Sequence, residues 1–446
     1  MARTARKENA LTPDEKLALA LVPEDEQPYR VPENWCWTKL TYLIAASKEK
    51  TEDFSDPSIK YVGLENMERD VGIVSYGFTD GVKSLKNLFS EGQILYGKLR
   101  PYLNKHDVAT FKGVCSTDIL VFDTKETAIN RYVNYYFDLP SFVEYTVSNS
   151  KGINLPRVSE KVVLDSLCPL PPLAEQQRIV DRIESLFSKL EEAKEKAQEV
   201  VDGYDARRAA ILQKAFTGEL TAWWRVSKDR DKKEWEHKRF SDLCNVVRGG
   251  SPRPAGDPQY YGGSIPFLKV ADITNNNGPY VYSAEYSIKE AGLKKTRMVN
   301  ANTLLLTNSG ATLGVPAICA FQTTFNDGIA AFLDLPPESL LFFYYFWTSK
   351  TKELRAINMG AAQPNLNTSI IGAIEVDVPP LEEQQEIARI LEEMLNKEQQ
   401  AKEAAEKVID QIDTMKKSIL SRAFRGELGT NDPTDESAIG LLKRIL

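Results

Sequence analysis

A 50-residue segment occurs twice in this chain, and any fold must accommodate both copies. The first, PPLAEQQRIVDRIESLFSKLEEAKEKAQEVVDGYDARRAAILQKAFTGEL, runs from Pro171 to Leu220. The second, PPLEEQQEIARILEEMLNKEQQAKEAAEKVIDQIDTMKKSILSRAFRGEL, runs from Pro379 to Leu428. They align without a gap at a constant offset of 208, with 23 of 50 positions identical. Self-similarity at a fixed period marks a duplicated structural unit. Because each copy follows a stretch of quite different sequence, the duplication kept its helices and let the intervening modules diverge. Such a chain suits holding two different recognition surfaces at a fixed distance.

Each copy reads as a long helix with a heptad seam: Ile179, Ile183, Leu186, Leu190, Ala193, Ala197, Val200 and Tyr204 in the first, and Ile387, Leu391, Met394, Ala401, Ala405, Val408, Ile412 and Met415 in the second. Alternating steps of four and three bury one narrow stripe against a partner helix. Glu398 interrupts the second seam. A Pro-Pro pair opens each helix, and Gly218 and Gly426 stand where a left-handed stop belongs. About 45 helical residues at 1.5 Å each make a rod of roughly 65 Å. A lone helix of this kind would suggest a dimeric coiled coil or scaffold. Two homologous copies in one chain can pair with each other, antiparallel, about an approximate two-fold axis. Apolar residues beside the seams, such as Phe187, Leu212 and Phe216, would be left for partner subunits. The expected subunit-interface set is these three with Ile183, Leu186, Leu391, Met394 and Phe424.

The two modules enter on tryptophans, at VPENWCWTKL and EWEHKRFSDL, and mix β-type runs (ILYGKLRPYL, DILVFD; IPFLKVADI, TLLLTNSG, AAFLDL) with helical ones (INRYVNYYFDLPSFVEYTV; SLLFFYYFWTSKTKELRAI). Each ends on a glycine-containing loop before a final strand, SKGINLPRVS and MGAAQPNLNTS. Each module reads as α+β with a mixed sheet. Thr12, Pro13, Asp14 and Glu15 form an N-terminal helix start, and DPTDESAIGLLKRIL suggests a closing helix. The fold class expected is α+β: two mixed α/β modules separated by two long antiparallel coiled-coil helices, with a pseudo-two-fold internal repeat. The divisions are 1–30 (helical segment), 31–168 (module), 169–220 (helix), 221–378 (module), 379–428 (helix) and 429–446 (tail).

Autonomous chemistry is not in view. Gly92-Gln-Ile-Leu-Tyr-Gly97-Lys98-Leu99 fits G-x-x-x-x-G-K, but Leu99 replaces the Mg²⁺-binding hydroxyl and the interior is bulky and β-prone. No G-x-G-x-x-G follows a strand, and neither Pro-Pro pair completes an amino-methyltransferase tetrapeptide. Asp14-Glu15-Lys16 fits only a bare three-residue nuclease pattern in an expected helix. Five scattered cysteines and two histidines argue against zinc or a disulfide framework and fit a reducing cytoplasm. No apolar run reaches a membrane span's length, and MARTARKENALTPDEK lacks a leader's apolar core. The net charge of −7 does not decide for or against nucleic acid, since both repeat helices are acidic while 221–378 is near neutral, with 17 basic and 15 acidic residues.

The doubled P-P-L-x-E-Q-Q-x-I opening, the K/R-A-F-x-G-E-L endings, and the phrases VPENW, GSIPFLKVADI, AAQPNLN and ESAIGLLKRI resemble the specificity subunit of type I restriction–modification enzymes, over nearly the whole chain. The resemblance implies a non-catalytic reader of double-stranded DNA. Each module would be a target recognition domain for one half of a split, asymmetric site. The helices would set the spacing and dock two methyltransferase subunits. No cofactor is expected on this chain: S-adenosylmethionine, ATP and Mg²⁺ would belong to the methyltransferase and to motor–nuclease (restriction) subunits. Candidate DNA contacts are chosen by side-chain chemistry, Arg or Lys for guanine and phosphate and Asn or Gln for adenine. In the first module these are Lys98, Arg100, Tyr102, Lys105 and Arg157. In the second they are Arg248, Arg253, Lys269, Asn308, Ser309, Thr312 and Gln363. Two other readings remain beside this one: a self-sufficient methyltransferase or nuclease, and a structural coiled-coil adaptor with no nucleic-acid role.

Overall fold

The computed structural model describes residues 12–69, 71–310, 312–357 and 366–446. The chain divides into two compact units that are not sequential. One joins the chain up to Ala197 with Lys407–Leu446, and the other is Gln198–Glu406. Each unit therefore holds one module, the near part of its own repeat helix and the complementary part of the other. The duplication explains this: two homologous helices paired antiparallel give each module the start of one and the end of the other.

The pairing is visible inside each unit. In the first, the helix Leu173–Asp202 meets the end of the helix Leu381–Ala423. Arg178 Nε donates to the Thr430 carbonyl at 2.9 Å, and thirteen residues further along, Glu191 pairs with Lys416. Ile179, Val180, Ile183, Leu420, Ala423 and Phe424 join one buried core. In the second unit the helix Tyr204–Phe216 places Ile211, Leu212 and Ala215 in a core with Ile387, Leu391 and Leu395. Gly218 and Gly426 end the helices at φ +77 and +72, as the left-handed stop requires.

The first repeat helix is not continuous. It stops at Asp202 and resumes at Tyr204, because Gly203 occupies the position of Gln411 in the other copy and glycine weakens a helix interior. Arg207 bridges the break: Nη2 donates to the Val200 carbonyl at 2.7 Å while Nε contacts Glu398 Oε2 at 2.7 Å. Glu398, which broke the seam pattern, thus has its partner. The seam is also incomplete. Val408 and Met415 remain exposed, whereas Ala197, Ala405 and Ile412 are buried.

In place of one mixed sheet, each module has, among the described residues, two main sheets beside smaller two-stranded pairs. The first module carries a four-stranded antiparallel sheet, in order His106–Val108, Ile94–Gly97, Ile119–Thr124, Ile44–Ala46. Its five-stranded sheet contains one parallel pair, Gly113–Cys115 with Lys60–Val62. The second module repeats this plan. Pro316–Cys319, Thr303–Thr307, Ile329–Leu333 and Asn245–Arg248 lie in the same order, extended by Tyr280–Val281. Thr323–Phe325 again pairs parallel with the strand Tyr261–Leu268. The duplication therefore spans the modules as well as the helices.

The apolar runs follow from this layering. Ile94 and Tyr96 point to the core shared with the helices, while Leu95 points to the core between the sheets. Leu304 and Leu306 do the same on one side and Leu305 on the other. A strand buried on both faces reads as continuously apolar. Entry and exit strands pair and close each module, Cys36–Lys39 with Leu167–Leu170 and Glu236–Arg239 with Glu375–Val378. The N-terminal helix Pro13–Ala20 has the expected Thr12 cap, with Glu15 completing a capping box, and the closing helix Ala438–Ile445 buries Leu441 and Leu442. No helix among the described residues is long and apolar enough to cross a membrane.

Candidate nucleic-acid interface

The fold brings together, in each module, two loops far apart in sequence. In the first, the segment after Ile94–Gly97 meets the closing loop: Val158 N donates to the Lys98 carbonyl at 3.0 Å, and Arg100 N to that of Pro156 at 2.7 Å. In the second, Leu366 N donates to the Asn308 carbonyl at 2.7 Å. Val158 and Leu366 stand 208 apart, as do Gly152 and Gly360 and Pro156 and Pro364, so the repeat register extends into these loops. Between the shared glycine and proline the residues differ: Ile153, Asn154 and Leu155 against Ala361, Ala362 and Gln363. The sequence register is thus kept while the residues between the shared glycine and proline differ, as two readers of different sequences require.

In the first module, Lys98, Arg100, Tyr102 and Arg157 cluster. Arg157 contacts Asp118 through Nε at 3.2 Å and Nη2 at 3.4 Å, and Lys98 Nζ lies 3.8 Å from the same carboxylate. Arg100 adopts φ +53, uncommon for a side-chain-bearing residue, and turns its exposed side chain out beside exposed Tyr102. The closing loop is pinned by reciprocal backbone hydrogen bonds between Lys151 and Arg157, at 2.9 and 2.8 Å, leaving Ile153 100% exposed. Lys105 stands apart, donating to the Leu64 carbonyl at 2.8 Å. The P-loop-like segment is a buried strand, Ile94–Gly97.

In the second module, Arg248 Nε donates to the Asp327 carbonyl at 2.6 Å, and Arg253 Nη2 lies 3.8 Å from the Asp327 carboxylate. The VRGG turn reaches this position only because Gly249 and Gly250 lack Cβ atoms, which would stand 2.1 Å from the Asn326 carbonyl and 2.4 Å from that of Lys295. Lys269 Nζ sits 3.1 Å from the centroid of the Tyr286 ring, a cation–π contact. Arg253, Lys269, Tyr261, Tyr286, Asn326 and Asp327 line a cavity of about 290 Å³. Ser309 is half-buried and Thr312 exposed. Gln363 lies outside the described residues.

Two expectations need correction. Asn308 is fully buried, so its side chain is not on the module surface; it directly follows a strand whose residues are all buried. Among the described residues its side-chain nitrogen and oxygen have no hydrogen-bond partner. The apolar residues expected to be free for partner subunits are used internally. Leu212, Ile183, Leu391 and Phe424 are buried. Phe216 packs edge-on against Phe342 and Phe346, each at 5.5 Å, and Phe187 lies edge-on to Tyr135 at 6.0 Å. Leu186 and Met394 are half-buried. The modules cover more of the helices than a bare seam suggests.

Residue selection by DNA chemistry also missed the clasp formed by the P-P-L-x-E-Q-Q motif. Glu175 and Glu383, 208 apart, are both buried, and each accepts from an entry tryptophan: Trp35 Nε1 at 2.7 Å and Trp235 Nε1 at 2.9 Å. The segment after the other repeat's G-E-L closes over each. Asn431 Nδ2 reaches Glu175 at 3.1 Å, while Thr221 Oγ1 reaches Glu383 at 2.7 Å and Arg225 forms a buried ion pair with it. Burial holds the Glu175 carboxyl above its ordinary range. The motif therefore fastens a helix start to its module; the signal was the glutamate repeated beside a repeated tryptophan.

The sequence profile of the type I restriction modification DNA specificity domain matches residues 44–200 and again 232–409, about three quarters of the chain. The EcoDI specificity subunit of a type I restriction enzyme from Escherichia coli is 31% identical over 228 residues, covering 50% of each protein. The EcoBI specificity subunit from Escherichia coli is 26% identical over 315 residues, 66% of this chain and 65% of that one. The match thus spans between half and two thirds of these relatives. The crystal structure of the HsdS subunit from Thermoanaerobacter tengcongensis has the same fold, with a TM-score of 0.70 over 90% of this chain and 99% of that one, at 21% identity.

Proposed function

The chain belongs to the type I restriction–modification DNA-specificity family, and we propose that it is the DNA-reading subunit of such an assembly, each module recognising one half of a bipartite, asymmetric duplex site. One observation carries the reading. In both modules the same backbone contact, Val158 N to the Lys98 carbonyl and Leu366 N to that of Asn308, joins the segment after the closing loop to the segment after a core strand, yet the sequences around it differ. Direct readout needs a fixed frame with variable donors and acceptors.

The chain has no catalytic role in this reading. Two methyltransferase subunits dock on the helices and bring S-adenosylmethionine, and restriction subunits bring ATP and Mg²⁺. The exposed seam residues Val408 and Met415, one heptad apart, offer apolar surface for such docking. The complex works in the cytoplasm, where its DNA is. Methylome sequencing of a host with and without this chain tests the reading. One bipartite adenine-methylated motif should depend on the chain. Identical methylomes, with the methyltransferase subunits expressed in both, would refute it.

A further inference from the structure

In each module a single turn carries a carboxylate that collects the neighbouring cations. The turn links Gly113–Cys115 to Ile119–Thr124 in the first module and Thr323–Phe325 to Ile329–Leu333 in the second. Its backbone is equivalent in both. Ser116 N donates to the Val62 carbonyl at 3.0 Å and Asn326 N to that of Leu268 at 2.9 Å; Lys98 N donates to the Asp118 carbonyl and Asn308 N to that of Gly328, both at 2.9 Å. The carboxylates occupy adjacent positions of this frame, Asp327 one step before the place of Asp118. Their partners come from different segments. Asp118 holds Lys98 and Arg157. Asp327 accepts from Ser251 Oγ at 2.6 Å and faces Arg253, while its carbonyl fixes Arg248. Two diverged modules thus reach one arrangement by different residues.

Stability does not account for it. Both carboxylates are partly exposed, and exposed ion pairs contribute little to folding. The partners, however, are of the chemistry that grips DNA. An arginine fork binds phosphate and the O6/N7 edge of guanine alike. A phosphate drawing on Arg157 would place its charge against Asp118. A guanine edge carries no charge, and the amino group of the paired cytosine is a donor that a carboxylate accepts.

We propose that Asp118 and Asp327 are specificity-determining positioning residues: each holds the basic side chains of its module toward base edges and disfavours their capture by phosphate. The proposal rests on the DNA-reading function. It is tested with the full chain assembled with its methyltransferase subunits. Binding is measured across a salt series to a duplex bearing the methylated motif and to a random-sequence duplex pool. Asp118→Asn should raise affinity for the random pool about tenfold and steepen its salt slope by about one, while cognate affinity changes less than about threefold. Asp118→Glu should restore discrimination, and Asp327→Asn should repeat the effect independently. Equal loss of affinity for both DNAs, or no change in either, would overturn the proposal. A wild-type complex that does not distinguish motif from random pool would remove the DNA-reading function itself, and this proposal with it.

Discussion

Replacing Arg225 by methionine isolates a buried ion pair in the second unit. Glu383 is 1% exposed and has three partners: the Arg225 guanidinium, Thr221 Oγ1 at 2.7 Å and Trp235 Nε1 at 2.9 Å. Without the guanidinium the two neutral donors remain, but a buried carboxylate loses its counter-charge. Breaking one side of a buried pair costs about 3–5 kcal/mol. Removing both charges, as in Arg225→Met with Glu383→Met, costs far less, because a buried pair replaced by apolar groups is close to neutral. The double variant still deprives Thr221 and Trp235 of an acceptor, at about 1 kcal/mol each. The double variant should therefore lie about 2 kcal/mol below wild type, with a coupling of about 4 kcal/mol or more between the two positions. Urea unfolding of the full chain, followed by tryptophan fluorescence for wild type, both single variants and the double, gives all the terms. A single variant costing under about 1 kcal/mol, or a double as destabilised as the sum of the singles, would refute the clasp argument.

The homologous glutamate should behave differently. Burial raises Glu175, so its stabilising contribution is complete below about pH 4.3 and is lost as pH rises through the raised value; Glu175→Gln, which keeps an acceptor for Trp35, should flatten the acid-to-neutral stability profile of the first unit in denaturant melts. For His106, burial alone would lower the pKa. The Asp138 charge and hydrogen bonds to Asp138 and Asn134 outweigh it and hold the imidazole raised. That stabilisation is present below about pH 6.5 and lost as pH climbs through the raised value, so Asp138→Asn should lower the melting temperature at pH 6 more than at pH 9. Exchanging residues 233–376 for those of another family member should change one half of the methylated motif; methylome sequencing showing both halves altered would sink the two-reader reading.

The sequence by itself determined the duplication, the antiparallel helix pair and the positions of most strands, because heptad spacing, terminal glycines and apolar runs are local consequences of burial. It also singled out the tracts ending in KLRPYL and TNSGATLG and the glycine-containing closing segments as candidate DNA-facing loops, by composition. Tertiary structure decided how these parts share a surface. Nothing local shows that Val158 will bond to Lys98, that Asp118 and Asp327 will gather basic residues from separate segments, or that Asn308 will be buried. Those outcomes depend on chain segments tens of residues away meeting at one turn. The same limit hid the break at Gly203, where glycine was compatible with a helix until Arg207 and Glu398 arrived to stabilise the gap. Apolar periodicity reports which face is buried. The identity of what buries it, whether partner helix, own module or another subunit, is a property of the whole fold; hence Leu212 and Phe216, read as free for partners, are covered by the chain's own aromatic core.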